Sequence, residues 1–450
     1  MDQRLSGYAT RAVPRYTSYP TVPHFSPDIG PDDYATWLSA LDPVDPLSLY
    51  LHVPFCKKVC WYCGCNMKLS ARYQPIADYA ATLRKEIGLV AGYLPTRMRV
   101  SHMHWGGGTP TSLSESDLGH AMEVIDHHFS FASDAELAIE SDPRTLSGDM
   151  IKHLAGLGFN RASFGVQEFD PQVQLAINRV QPPDMVRASV DGLRAAGIAN
   201  INFDLIYGLP HQTVGTLTRT IELCAAMRPN RVALFGYAHV PWMAKAQRMI
   251  DAAALPGAAE RLAQAQAASE ALVAMGYVAI GLDHFALPDD PLALAVRQGT
   301  LRRNFQGYTT DTATTLLGMG ATSIGRTPHG YTQSIAETRA WTRAVEAGTL
   351  PIAKGCALTA DDTLRGWVIE QLMCNGSVDL AAAAAQHKAP LGWYAEAETD
   401  LAQMERDGLI YRDAAHRITM TKAGAPLVRT VAAVFDAYLR AKAAQHSVAV

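Results

Sequence analysis

The chain has 450 residues, 48% of them hydrophobic, enough to bury one large core with a smaller satellite or to divide into two or three domains. Its formal net charge is −4, which excludes a global field drawing it to nucleic acid or anionic lipid. No uninterrupted apolar run is long enough to span a membrane, and Met1-Asp-Gln-Arg4 lacks the basic-then-apolar layout of a secretion signal, so a cytoplasmic address is expected.

Residues 1–45 carry Pro14, Pro20, Pro23, Pro27 and Pro31 without a sustained apolar period, and read as an N-terminal arm with one helix near Pro31 to Leu41. From Ser48, β-rich runs alternate with helical ones: 48–53 then 75–93, 98–105 then 114–128, 135–140 then 146–156, and 160–166 with helices after it. The pattern continues with 200–206 then 213–227, 231–237 then 257–275, and 277–283. Such alternation predicts an α/β fold of repeated βα units, and seven parallel strands suit a partial or complete TIM-like barrel. Leu154 and Gly158, Leu193 and Gly197, and Leu272 and Gly276 repeat one helix-stopping spacing, each glycine able to take a left-handed conformation.

In a barrel the working residues sit where strands end. Polar or glycine residues stand at those places in series: the cysteine stretch, Gly106-Gly107-Gly108-Thr109-Pro110, Glu140-Ser141-Asp142, Gln167-Glu168, Asp204, Tyr237-Ala238-His239 and Asp283-His284. Beyond residue 330 the pattern predicts helices without intervening strands until Leu409–Arg412 and Arg417–Met420 form a hairpin. The expected domains are therefore an arm (1–45), a βα barrel with the cysteine loop (46–330) and a C-terminal helical domain with a small β-hairpin (331–450). Helices plus a hairpin are also found in winged DNA-binding modules, but these helices lack a concentrated basic face, so no nucleic-acid partner is expected.

Four of the seven cysteines fall within ten residues, at Cys56, Cys60, Cys63 and Cys65. Structural zinc sites join two separated ligand pairs, and no second pair follows at suitable spacing. Three thiolates at Cys56-x-x-x-Cys60-x-x-Cys63 instead fit three corners of a cubane iron–sulfur cluster, leaving one iron open. Cys65 stands on backbone already committed to the loop and is not expected to be a fourth ligand. It is a candidate reactive thiol, local structural residue or redox relay.

The three-cysteine stretch, with Tyr62 before its last cysteine and the glycine run at Gly106–Thr109, resembles the signature of the radical S-adenosylmethionine enzymes. Pro14–Thr21, the Cys-Gly-Cys-Asn ending at Asn66, Asn202–Pro210, Gly281–Phe285 and Arg303–Thr310 narrow the likeness, nearly end to end, to the oxygen-independent coproporphyrinogen III oxidases. The resemblance implies a [4Fe-4S] cluster on Cys56, Cys60 and Cys63 and two molecules of S-adenosylmethionine. Tyr50, Gly107, Glu140 and Ile324 would line the first cofactor site; Gly108, Thr109, Gln167, Arg179, Asp204 and Ala238 would line the second.

It also implies haem biosynthesis as the setting, with coproporphyrinogen III as substrate and two propionates converted to vinyl groups through a 5′-deoxyadenosyl radical. A monomer served by an unidentified electron donor and acceptor is expected. Because the substrate bears four carboxylates, local cations are needed, for which Arg11, Arg15, Arg297, Arg302 and Arg303 are candidates. A haem chaperone of the same fold is the alternative. Such relatives typically lack the Cys65-type cysteine and the Pro14–Thr21 arm, both present here. A zinc-stabilised barrel with an interaction role is a third reading.

Overall fold

A computed structural model describes residues 7–441; Met1–Arg4, read above for a secretion signal, lie outside them. The chain forms two compact units built from non-contiguous segments. The larger comprises Ser26–Tyr277 and Asp311–Gly355, the smaller the described residues up to Phe25, Val278–Thr310 and those from Cys356 onward. A linear division at 45/46 and 330/331 does not express this alternation.

In the larger unit, apolar runs with helical spacers form strands β1 Leu47–Val53, β2 Arg99–Gly107, β3 Ser130–Ser141, β4 Arg161–Gln167, β5 Asn200–Tyr207 and β6 Arg231–Gly236. Each lies parallel beside its predecessor, with register Val53 to Gly107, Trp105 to Ile139, Ser141 to Phe164, Gly165 to Asp204 and Tyr207 to Gly236. This progressive order is that of a βα barrel rather than of a doubly wound sheet, whose order reverses at a switch point. The order is open among the described residues. Helices α1 Gln74–Ala91, α2 Glu115–His128, α3 Gly148–Gly156, α4 Pro183–Ala195, α5 Val214–Ala225 and α6 Ala258–Ala274 supply crossovers. Gly158, Gly197 and Gly276 have φ of +84°, +96° and +90°, the left-handed stops that the repeated spacing anticipates.

The parallel strand on the other side of β1 is β7, Thr315–Met319, paired from Leu47 to Thr315 through Leu51 to Met319. The expected seventh strand at 277–283 is shorter and antiparallel: Val278–Ile280 pairs with His284–Ala286 in the smaller unit, and Gly281 turns between them at φ +58°. Asp283 and His284 therefore do not end a seventh parallel strand. Antiparallel Ile324–Thr327 and Gly330–Ser334, followed by Ile352–Ala357, extend the sheet beyond β7, correcting the expectation of helices alone after 330.

In the smaller unit, Ala360–Asn375 starts at a reciprocal cap between Thr359 and Asp362. Its buried face, Leu364, Val368, Ile369 and Leu372, packs with Tyr8, Tyr16, Tyr19, Leu401 and Ile418. The hairpin Ile410–Arg412 with Arg417–Met420 gains a third strand, Ser377–Asp379.

Candidate active site

Immediately after β1, Phe55–Cys56 pairs parallel with Lys68–Leu69, and Lys68 N donates to Pro54 O at 2.5 Å. Both ends of the cysteine loop are thereby tied together. Its middle is held by Trp61 N donating to Ile177 O at 2.9 Å, Asn178 Nδ2 to Val59 O at 2.7 Å and Gln247 Nε2 to Tyr62 O at 2.9 Å. Trp61 and Tyr62 pack against Val173, Ile177, Leu209 and Tyr237, so the aromatic before Cys63 anchors the loop in core.

Each cysteine has its own surroundings. Cys56 Sγ is 3.6 Å from Thr109 Oγ1, and burial pushes its thiol up to about 11. Cys60 is buried and accepts from Arg179 Nη1 at 3.3 Å and Arg144 Nη2 at 3.4 Å. Cys63 Sγ accepts from Cys65 N at 3.4 Å; hydrogen bonding from the Cys65 thiol draws Cys63 down to about 7. Among the described residues no three donors converge closely enough to share one metal ion. A cubane does not require this, since each thiolate binds its own iron.

The glycine run at the end of β2 forms a cradle whose shape depends on missing side chains. A Cβ on Gly106 would lie 2.8 Å from Glu140 Oε1 and 3.0 Å from the Tyr50 ring; one on Gly108 would lie 2.8 Å from Phe55 O. Gly107, at φ +114°, faces the His52 ring and donates its N–H to Glu140 Oε2 at 3.3 Å. Glu140 Oε1 is held by His104 Nε2 at 3.1 Å, and His104 stacks on Tyr50 at 6.0 Å between centroids. Tyr50 OH is 3.0 Å from His52 Nδ1, while His52 Nε2 is buried without a hydrogen-bond partner and burial keeps the ring below its ordinary range. Tyr50, Gly107 and Glu140 therefore meet. Ile324 opens its antiparallel strand opposite Gln333, with its carbonyl against Gly318.

The second expected set follows the strand ends. Gly108 N donates to Val53 O at 2.9 Å, fixing the Gly108-Thr109 turn beside Cys56. Gln167, at φ +67°, is buried with Oε1 unpartnered, a polar atom held ready for a donor. Arg179 grips Gly165 O through Nε at 3.0 Å and Nη2 at 2.5 Å. Burial, with Glu140 as a second negative group, raises Asp204 to about 7. Ala238 O accepts from Gln247 Nε2 at 3.2 Å. His52, His104 and Arg144 also belong to this region and were not anticipated, while Asp142 was expected at a strand end without a role of its own. Their signals exist in the sequence: Tyr50 and His52 share one face of β1 by alternation, as His104 and Gly106 do on β2, and Asp142-Pro143-Arg144 is a turn opening.

The five candidate substrate arginines lie in the smaller unit and differ sharply. Arg11 is exposed over the Tyr8 ring at 4.5 Å, Arg297 donates to Pro288 O at 2.5 Å, and Arg302 pairs with Glu370 at 3.1 Å. Arg303 is only 9% exposed, lies 4.3 Å over the Tyr308 ring, and keeps Nε and Nη1 without partners. Its Nη2 donates to the backbone oxygen of exposed Arg15 at 3.4 Å.

These donors fit the implied groups. Three separately placed thiols suit a cluster, the glycine cradle admits the amino-acid end of a ligand against backbone, and Gln167 Oε1 and Asp204 are unspent acceptors. The model of the radical SAM superfamily matches residues 50–224. Over 443 residues the chain is 48% identical to an oxygen-independent coproporphyrinogen III oxidase of Bradyrhizobium diazoefficiens, covering 98% of each chain. The chain belongs to the oxygen-independent coproporphyrinogen III oxidase family. The family's Escherichia coli K12 member is 42% identical over 432 residues, covering 96% of this chain and 94% of that one. A solved coproporphyrinogen III oxidase of Escherichia coli, described as a radical SAM enzyme, superposes with a TM-score of 0.91 at 39% identity, over 95% of this chain and all of that one. Membership of this oxidase family favours the enzyme over the haem-chaperone alternative. No helix among the described residues is long and apolar enough to cross a membrane.

Proposed function

We propose that this chain converts coproporphyrinogen III to protoporphyrinogen IX by oxidative decarboxylation of two propionates to vinyl groups, without molecular oxygen. The observation that carries the reading is the convergence of Tyr50 and Glu140 on the Gly106–Gly108 cradle, at the end of the strand beside the cysteine loop. Cys56, Cys60 and Cys63 would hold a [4Fe-4S] cluster. The bound cluster and S-adenosylmethionine supply one electron and a C–S cleavage that yields the radical for hydrogen abstraction.

The protein's part is binding, orientation and exclusion. Glu140, steadied by His104, would accept from an ammonium, while Gly107 leaves room for the ligand's backbone-like end. Gly108, Thr109, Gln167, Arg179, Asp204 and Ala238 would line a second S-adenosylmethionine, Asp204 and Gln167 accepting from its hydroxyl or amino donors. Ile324 would close the first site with apolar surface. Arg303, with two unspent donors, is the strongest of the substrate-carboxylate candidates. Electrons would come from a separate donor and, after loss of carbon dioxide, pass to a separate acceptor.

Anaerobic reconstitution with iron and sulfide, followed by product analysis with coproporphyrinogen III, dithionite and S-adenosylmethionine, tests the reading. Protoporphyrinogen and methionine are expected. Tight haem binding without vinyl product would replace the oxidase reading with the haem-chaperone one.

A further inference from the structure

Among the described cluster-loop cysteines, Cys60 accepts hydrogen bonds from two guanidinium groups. Arg179 Nη1 approaches its sulfur at 3.3 Å and Arg144 Nη2 at 3.4 Å. Arg179 already belongs to the expected cofactor set; Arg144 has no role in it. Arg144's position is nevertheless tightly specified. β3 ends at Ser141, and Asp142-Pro143-Arg144-Thr145 turns with Thr145 N donating to Asp142 O at 3.0 Å. Within that turn Asp142 clamps the guanidinium edge-on: Arg144 Nε donates to Oδ1 at 2.9 Å, Nη2 to Oδ2 at 2.6 Å, and the Arg144 backbone N to Oδ1 at 3.0 Å.

The geometry leaves one Nη2 hydrogen for Asp142 and the other for the sulfur. A fork held along one edge can aim its remaining donor without losing rotamer freedom at each contact. Arg179 also lies 3.7 Å from Asp142 Oδ2, so one carboxylate stands between two cations that share one sulfur. The side chains of Arg144 and Arg179 are each 8% exposed, and this shielding from water strengthens both the charge and the hydrogen-bond effect.

We propose that Arg144 sets the reduction potential of the cluster held by Cys60, making it easier to reduce by donating a hydrogen bond and positive charge to that ligand's sulfur. The inference rests on the cluster reading above. Adding an electron increases negative charge on the cluster and its sulfurs, so a fixed N–H and a cation beside one sulfur stabilise the reduced form more than the oxidised form. Arg144 is thus a positioning residue that acts through Cys60 rather than by touching the substrate.

The test is a redox titration, followed by electron paramagnetic resonance, of anaerobically reconstituted wild-type, R144Q and R144K proteins, with iron and sulfide measured per chain. For R144Q, iron content equal to wild type and a more negative midpoint are expected. At the wild-type midpoint the reduced-to-oxidised ratio should fall about tenfold, equivalent to ~59 mV for one electron. R144K, which keeps the charge but not the fork, should shift in the same direction by less. A fully loaded R144Q with an unchanged midpoint overturns the proposal, because a purely structural clamp would change stability or loading and leave the potential alone. Should R144Q fail to assemble a cluster, R144K decides by the same criterion. A wild-type protein that takes up no cluster would instead overturn the cluster reading itself.

Discussion

Gly107 and His52 are fitted to each other: a Cβ on the glycine would lie 2.7 Å from the imidazole ring, and the backbone there has φ +114°. Gly107→Ala therefore suffers twice, through a left-handed cost of about 1–2 kcal/mol and through displacement of a buried ring. Denaturant melting should show the loss, and equilibrium dialysis should show S-adenosylmethionine binding weakened at least roughly tenfold, the equivalent of ~1.4 kcal/mol. The double variant with His52→Ala relieves the steric part alone, so the two changes should prove non-additive.

Glu86 predicts a pH effect on stability. On α1, fully inside the larger unit, its Oε2 accepts from Gly320 N at 2.6 Å and Trp341 Nε1 at 3.2 Å, and burial raises it to about 8. The folded state thus binds this proton more tightly than the unfolded chain. The stabilisation is complete below pH ~4.5 and fades as pH rises toward about 8, by roughly 2–5 kcal/mol in all. Glu86→Gln keeps an acceptor for both donors and cannot ionise. Urea midpoints between pH 5 and pH 8 should fall less for this variant than for wild type.

Cys65 can be separated from its neighbours by a single oxygen-for-sulfur change. Its backbone N–H makes the 3.4 Å contact with Cys63 Sγ, and a serine hydroxyl can replace the thiol's own hydrogen bond to that sulfur, so Cys65→Ser leaves the three proposed ligands and their loop in place. Iron content should stay at the wild-type level while turnover falls roughly tenfold or more. Normal turnover with normal iron would remove Cys65 from the chemistry.

Arg303 and Arg302 make a matched pair for substrate recognition. Arg302 is occupied by Glu370, whereas Arg303 holds two buried, unpartnered donors. Arg303→Gln should raise KM for coproporphyrinogen about tenfold or more, with S-adenosylmethionine affinity unchanged. Arg302→Gln should act mainly on stability. Equal KM effects from both would point to general electrostatics instead of one carboxylate contact.

Much of the larger unit was legible because its instructions are local. Alternating runs gave β1 to β6 near their observed bounds, and the glycines at 158, 197 and 276 punctuate helices by a conformation only glycine adopts cheaply. The cysteine spacing pointed directly to cluster chemistry. What escaped was set by distant pairing. β7 is five residues long and acquires its place from register with β1, more than 250 residues earlier, while Gly281 breaks an apolar run that otherwise resembles a strand. His104 and Arg144 are ordinary residues in one dimension; only their 3.1 Å and 3.4 Å contacts with Glu140 and Cys60 give them roles.

The smaller unit draws on both ends of the chain. Tyr8 OH donates to Asp407 Oδ2 at 2.6 Å, Tyr16 OH to Asp436 Oδ2 at 3.0 Å, and Arg429 Nη2 to Val13 O at 2.7 Å. During synthesis, residues 8–16 must therefore wait until residues 407–436 have been made before these partners meet. The strands and helices between them can assemble in the meantime. A nascent chain halted before residue 400 would carry Tyr8 and Tyr16 without Asp407 and Asp436, so folding of this unit reports that synthesis has passed residue 436.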